Sequence, residues 1–143
     1  MNATFWKDKR VLITGHTGFK GSWLALVLIE AGAQVTGISL EPENYPNLYC
    51  NLDLHKRFFN SHILNILDFN ALNEIIGFCQ PHIVIHLAGL SGLKKCESEP
   101  KKAFKINVEG TANVVKGCLK INAKLIFISS REVYGETINK KSK

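Results

Sequence analysis

The sequence predicts an α/β fold built on a doubly wound parallel sheet of about five strands. Three observations lead there. Short β-branched runs alternate with longer stretches of helical periodicity, the order that gives strand–crossover–strand units. Several of the runs, Val11-Leu12-Ile13 and Ile83-Val84-Ile85 among them, are apolar on consecutive residues, as needed when helices cover both faces of a sheet. A glycine triplet, Gly15, Gly18 and Gly21, stands between the first run and the first helical stretch.

Taken in order, Arg10–Thr14 reads as the first strand. Phe19–Ala31 follows as a helix, with Trp23, Leu26, Val27 and Glu30 spaced by three or four and a stop at Gly32. Gln34–Ser39 reads as the second strand. The segment Glu41–Asn60, with Pro42, Tyr45, Pro46, Asn47 and the pair Lys56-Arg57, is weakly periodic and reads as a long loop holding a short helix; loops of that length are often functional. His62–Ile66 is expected to be the third strand, Phe69–Gln80 a helix closed by Pro81, and His82–Ala88 the fourth strand. Pro100 suits the first turn of a helix running to Ile121. In it Phe104, Val108, Ala112, Val115 and Leu119 repeat at helical spacing and are expected to form one buried stripe. Lys124–Ser129 closes the series as the fifth strand, with an open outer edge that invites pairing with another copy. The last residues, INKKSK, are polar and expected to fray.

Composition removes several classes of function. With 143 residues, 45% hydrophobic and 21% charged, the chain has the make-up of a globular protein, and residues 1–143 are expected to form one domain. No apolar run approaches the ~20 residues of a membrane helix. The first residues lack the pattern of a secretory signal, so a cytoplasmic location is expected. Cys50, Cys79, Cys96 and Cys118 are scattered, with no CxxC pair, and read as reduced thiols with no metal site. The net charge of +6 is uneven: residues 94–143 hold 12 Lys and Arg against 5 acids, while residues 1–93 are close to neutral. Those lysines are not interleaved with aromatics, so a solvated face, and no nucleic-acid partner, is expected.

The chemical signal is Thr14-Gly15-His16-Thr17-Gly18-Phe19-Lys20-Gly21, directly after a strand and opening a helix. Gly15 permits a tight turn, Gly18 lets backbone approach a pyrophosphate, and Gly21 lets helix and strand pack closely. Phosphates would sit on the free N–H groups of the helix N-terminus. In this Rossmann-like setting the loop predicts dinucleotide binding. His16 reads as a polar loop residue, and Lys20 either neutralises phosphate or faces water. Ser39 stands where an NAD-type fingerprint carries Asp or Glu, and its hydroxyl can bond a ribose hydroxyl. No Arg is near to receive a 2′-phosphate, which tilts the cofactor to NAD over NADP.

These residues carry a resemblance. Gly15–Leu24, together with ISLEP and QPHIVIHLAG, is similar to the extended short-chain dehydrogenase/reductase superfamily, and within it to the CDP-glucose 4,6-dehydratase family. Asn107-Val108-Glu109-Gly110-Thr111 and the stretch Ile128 to Gly135 resemble sugar-nucleotide epimerases and dehydratases more generally. The resemblance implies cofactor contacts at Gly15, Thr17, Gly18, Phe19, Lys20 and Gly21, an adenine pocket at Asn65-Ile66, backbone beneath the cofactor at Leu87, Ala88 and Gly89, and an asparagine near the active site at Asn107. It implies a nucleotide-sugar substrate, hydride transfer to NAD, and a catalytic hydroxyl at Ser130 with Glu132 as a base.

Two departures from the family pattern follow. Arg131 stands where dehydratases carry an acid and stays protonated, so it cannot donate a proton; this leaves a sugar-nucleotide epimerase or reductase as an alternative. The family's Tyr-x-x-x-Lys pair is missing, since Tyr134 is followed four residues on by Ile138. Family members continue with further strands and a sugar-binding region. The chain is therefore expected to hold the cofactor part, either completed by a partner chain or kept as a non-catalytic nucleotide-binding module.

Overall fold

The computed structural model describes residues 3–43, 45–130 and 133. Along the chain run α1 (Ala3–Trp6), β1 (Arg10–Thr14), α2 (Phe19–Glu30), β2 (Gln34–Ser39), α3 (Leu48–Asn51), a 3-10 turn (Leu54–Lys56), β3 (Asn60–Ile63), α4 (Phe69–Cys79), β4 (Ile83–His86), α5 (Leu93–Ser98), α6 (Pro100–Phe104), a π-helical stretch (Lys105–Gly110), α7 (Thr111–Ile121) and β5 (Lys124–Phe127). All four strand pairings are parallel, in the order β3-β2-β1-β4-β5. Arg10 registers with Gln34 in β2, and Val11 with Ile83 in β4.

Helices cover both faces, which explains the consecutive apolar residues of the central strands. Side chains alternate across a strand, so Val11 and Ile13 join Ala25 and Leu28 of α2 in one core, with Val35, Ile83 and Ile85. Leu12 and Val84 point the other way, into a second core with Leu72 and Ile76 of α4 and Val114 and Cys118 of α7. The ends of α4 are set by local chemistry. The Asp68 carboxylate accepts from the Ala71 N–H at 3.1 Å as an N-cap, and Gln80 turns into the left-handed region before Pro81.

β1 and β2 occupy the ranges their sequences predict, and β4 and β5 are shorter than predicted. β3 starts at Asn60 and ends at Ile63, upstream of the expected His62–Ile66. Asn60 and Ser61 are polar, yet the register of this edge strand is set by pairing with Thr36 and Gly37.

The expected stripe of the long helix is corrected. Phe104, Val108 and Leu119 are 61%, 49% and 75% exposed. The residues turned inward are Ala103, Gly110, Val114, Gly117 and Cys118. A Cβ on Gly110 would come within 2.6 Å of Ile66, and one on Gly117 within 2.6 Å of Ile76. At those two glycines the helix lies so close to its neighbours that a side chain would collide with them. In α2 the contact is as close at Gly21, and the helix buries Gly21, Ser22, Ala25 and Leu28 while Trp23 and Val27 are about half exposed.

Candidate functional site

The chain leaves β1 for β2 on one side and returns from β3 to β4 on the other. The strand order therefore reverses between β1 and β4, and the crevice outside their C-terminal ends is where open α/β sheets bind ligands. Because every strand is parallel, the residues after each strand end share this edge. They are the Gly15 loop, Ser39, Asn65-Ile66, Leu87–Gly89 and Ser130.

Two glycines make the β1–α2 loop what it is. Gly15 has φ +80°, and a Cβ there would lie 2.9 Å from the Ala88 nitrogen. At Gly21 a Cβ would meet the Gly15 carbonyl oxygen at 2.0 Å. The loop thus lies backbone to backbone against both α2 and the end of β4. Gly18 is the extended N-cap of α2 and supplies no side-chain cap. The helix ladder begins with the Ser22 N–H to the Gly18 carbonyl at 2.9 Å, so the N–H groups of Phe19, Lys20 and Gly21 form its open first turn. No acidic residue sits in that turn. Phe19 and Lys20 are exposed beside it. The open N–H groups and the absence of an acid match a diphosphate in donors and in sign of charge.

Thr17 and Ser39 meet at the end of β2, their hydroxyls 2.8 Å apart, and Thr17 also donates to the Leu40 carbonyl at 2.9 Å. Asn65 is exposed and its amide oxygen accepts from the Leu67 N–H at 3.0 Å, which shapes the turn after β3. Ile66 is buried against Gly110. Leu87 and Ala88 are half-buried and Gly89 exposed. Asn107 lies in the π-helical stretch and reaches back to Leu90, accepting from its N–H at 2.8 Å and donating to its carbonyl at 3.0 Å. Ser130 is exposed beyond β5. Glu132 lies outside the described residues, as do Arg131 and Tyr134.

His16, expected to be a polar loop residue, is fully buried. Its ring packs edge-on against Phe58 and Tyr49 with centroids 4.9 Å and 5.3 Å away, and Nε2 bonds Ser61 at 2.9 Å. Gly37 makes room for it, since a Cβ there would be 2.5 Å from the imidazole. Burial pushes its pKa down to about 4, with the nearby Ile38 carbonyl offsetting only part of that effect. Nδ1 has no hydrogen-bond partner at normal geometry. The second buried imidazole, His86, escapes sequence reasoning. Its one signal there is a histidine ending an otherwise aliphatic strand just before a loop.

Away from this edge, a hollow at the N-terminal ends of β1, β4 and β5 is lined by Phe5, Arg10, Gln80, Pro81, His82 and Lys124 and touches none of the residues above. Among the described residues no group of His, Cys, Asp or Glu is placed to hold a metal ion, and no helix is long and apolar enough to cross a membrane.

Residues 11–143 match the NAD dependent epimerase/dehydratase family. The chain belongs to that family. It is 39% identical over 136 residues to a CDP-glucose 4,6-dehydratase of Salmonella typhimurium, covering 94% of this chain and 38% of that protein. It is 34% identical to a UDP-N-acetyl-alpha-D-glucosaminuronate decarboxylase of Bacillus cytotoxicus, covering 90% of this chain and 38% of that protein. Among solved structures, the UDP-glucose 4-epimerase of Brucella ovis in complex with NAD superposes with a TM-score of 0.77 at 26% identity, covering 90% of this chain and 38% of that one. This member of the epimerase/dehydratase family thus spans well under half the length of the relatives it matches.

Proposed function

We propose that this chain is the NAD-binding part of an enzyme that remodels a nucleotide-linked sugar, of the CDP-glucose 4,6-dehydratase kind. The observation that supports it most is the cradle at the switch point, where Gly15 and Gly21 leave no room for a Cβ and α2 opens without a side-chain cap. The pyrophosphate rests on the N–H groups of Phe19, Lys20 and Gly21, with the Lys20 ammonium beside it. When bound, NAD supplies the acceptor for a hydride.

The end of β2 favours NAD over NADP by counting protons. Thr17 donates its single hydroxyl proton to the Leu40 carbonyl, so toward Ser39 it accepts. Ser39 is then left with lone pairs only and takes a ribose hydroxyl as a carboxylate would. A 2′-phosphate finds no donor there.

In this reading Ser130 holds the sugar oxygen and Glu132 acts as base, while the Tyr-x-x-x-Lys pair and the sugar site come from further polypeptide, in the same chain or a partner. Arg131 in the acid position favours a second reading, an epimerase or reductase of the same family. A non-catalytic nucleotide-binding module is the third.

The test is thermal unfolding with and without nucleotide. NAD at a hundred times its dissociation constant adds about 2.7 kcal/mol, so a clear upward shift is expected with NAD and a smaller one with NADP at equal concentration. No shift with either nucleotide overturns the proposal. Lacking the Tyr-x-x-x-Lys pair, the 143 residues alone are expected to give no turnover of CDP-glucose. Formation of a 4-keto-6-deoxy product above a no-enzyme control would contradict that.

A further inference from the structure

His86 is fully buried at the end of β4. Its Nδ1 lies 2.6 Å from the Thr14 hydroxyl, its Nε2 lies 3.0 Å from the Thr111 hydroxyl, and the Phe127 ring stacks on it at 5.5 Å. The direction of each proton follows from the partners. Thr111 donates its one hydroxyl proton to the Asn107 carbonyl at 2.7 Å, so toward His86 it only accepts, and Nε2 carries the hydrogen. Nδ1 is then a lone pair, which the Thr14 hydroxyl satisfies as donor. The Thr14 oxygen in turn accepts the Ala88 N–H at 3.2 Å. At the far end, the Asn107 side chain holds both the N–H and the carbonyl of Leu90.

The path leaves the backbone at Ala88 and returns to it at Leu90. Between those points lies the strand end that faces the Gly15 loop, with the Ala88 nitrogen 2.9 Å from where a Gly15 Cβ would stand. A reversed tautomer sets the Nε2 lone pair against the Thr111 oxygen. Only one arrangement of protons satisfies every member, and it requires a neutral ring.

We infer that His86 is a positioning residue of the dinucleotide crevice: as the neutral Nε2–H tautomer, it holds the Leu87–Leu90 backbone between the Gly15 loop and the π-helical stretch. The part of this that concerns ligand affinity rests on reading the crevice as an NAD site. The backbone part does not.

The experiment uses the 143-residue chain labelled with 15N-histidine at pH 7. The expected spectrum shows His86 with Nε2 protonated and Nδ1 bare. Thr111→Val removes the acceptor while keeping the side-chain shape. It is expected to abolish the tautomer preference, speed amide exchange at Ala88 and Leu90, and raise the NAD dissociation constant about tenfold, the change that goes with one lost hydrogen bond. Thr111→Ser is expected to restore all three, which a merely space-filling role does not require. His86→Phe, which keeps a ring against Phe127, is expected to match Thr111→Val in amide exchange at Ala88 and Leu90 and in the NAD dissociation constant, and if it fails to fold Thr111→Val decides. A wild-type Nδ1–H tautomer, or unchanged exchange at Ala88 and Leu90 in Thr111→Val, overturns the inference. Failure of the wild type to bind NAD overturns the functional reading instead, because the tautomer and exchange measurements need no ligand.

Discussion

In β1 and β4 the buried residues Val11, Leu12, Ile13, Ile83, Val84 and Ile85 are large and aliphatic, up to the polar pair Thr14 and His86 at the strand ends, whereas in α2 and α7 they include Gly21, Ser22, Ala25, Gly117 and Cys118. Leu28 and Val114 are the large residues those helices bury fully, while Trp23, Val27 and Leu119 are 48%, 40% and 75% exposed. The difference lies in the distance of approach. A strand presents side chains to helices on each face and fills the space between layers with them. Where a helix must bring its backbone close to a loop or to another helix it fills that space with backbone, and at the point of closest approach only a glycine fits, as at Gly21, Gly110 and Gly117. Here the closeness serves the site, because α2 has to open against the Gly15 loop and the π-helical stretch against Ile66.

The largest way to break this comparison is pH, which acts on the two buried imidazoles. Burial holds both His16 and His86 down to about 4, against 6.5 when unfolded. Between those values the unfolded chain binds more protons than the folded one, so their contribution is full above 6.5 and falls as the pH drops toward 4. The expected loss on going from pH 7 to pH 4 is on the order of 3 kcal/mol per imidazole. Urea midpoints measured across that range would read it, and a flat profile would show that neither ring is shielded as described.

Next in size is Gly21→Ala. Its Cβ would sit 2.0 Å from the Gly15 carbonyl oxygen, and the obstacle is backbone, not a mobile side chain. Overpacking of this kind costs about 3 kcal/mol or more when nothing can give way. The substitution is also expected to weaken NAD binding in calorimetry, because the relaxation moves the cradle. Wild-type stability in the Gly21→Ala variant would mean that the small face of α2 is not forced by contact.

Leu12→Ala and Leu119→Ala, compared in the same denaturant titration, sharpen the contrast between strand and helix. Leu12 is fully buried, and its truncation is expected to cost about 2–5 kcal/mol. Leu119, equally apolar and in helical phase with Val115, is 75% exposed, and its truncation is expected to cost under about 0.5 kcal/mol. Similar losses at both positions would place Leu119 in a contact within the folded chain.

How legible the molecule was in its sequence follows the same division. The central strands could be read from Val11-Leu12-Ile13 and Ile83-Val84-Ile85, because burial on both faces leaves an unbroken apolar run. The glycine loop could be read because Gly15 and Gly21 answer local backbone demands. The range of β3 could not, since Asn60 and Ser61 enter the sheet only through pairing with Thr36 and Gly37. Nor could the inward face of the long helix, because the stripe of Phe104, Val108 and Leu119 is the stronger hydrophobic pattern and the inward face is the smaller one.

By itself the sequence determined the class of fold, the order of its strands along the chain and the place where the glycine loop opens α2, because periodicity, β-branching and glycine spacing act over a few neighbouring residues. Tertiary structure alone decided which helix faces turn inward, that His16 is a buried ring over Gly37, and that His86 joins Thr14 to Thr111 from positions 72 and 25 residues away. Those outcomes depend on how closely distant segments approach and on where each buried proton can go, and neither quantity exists until the layers are packed.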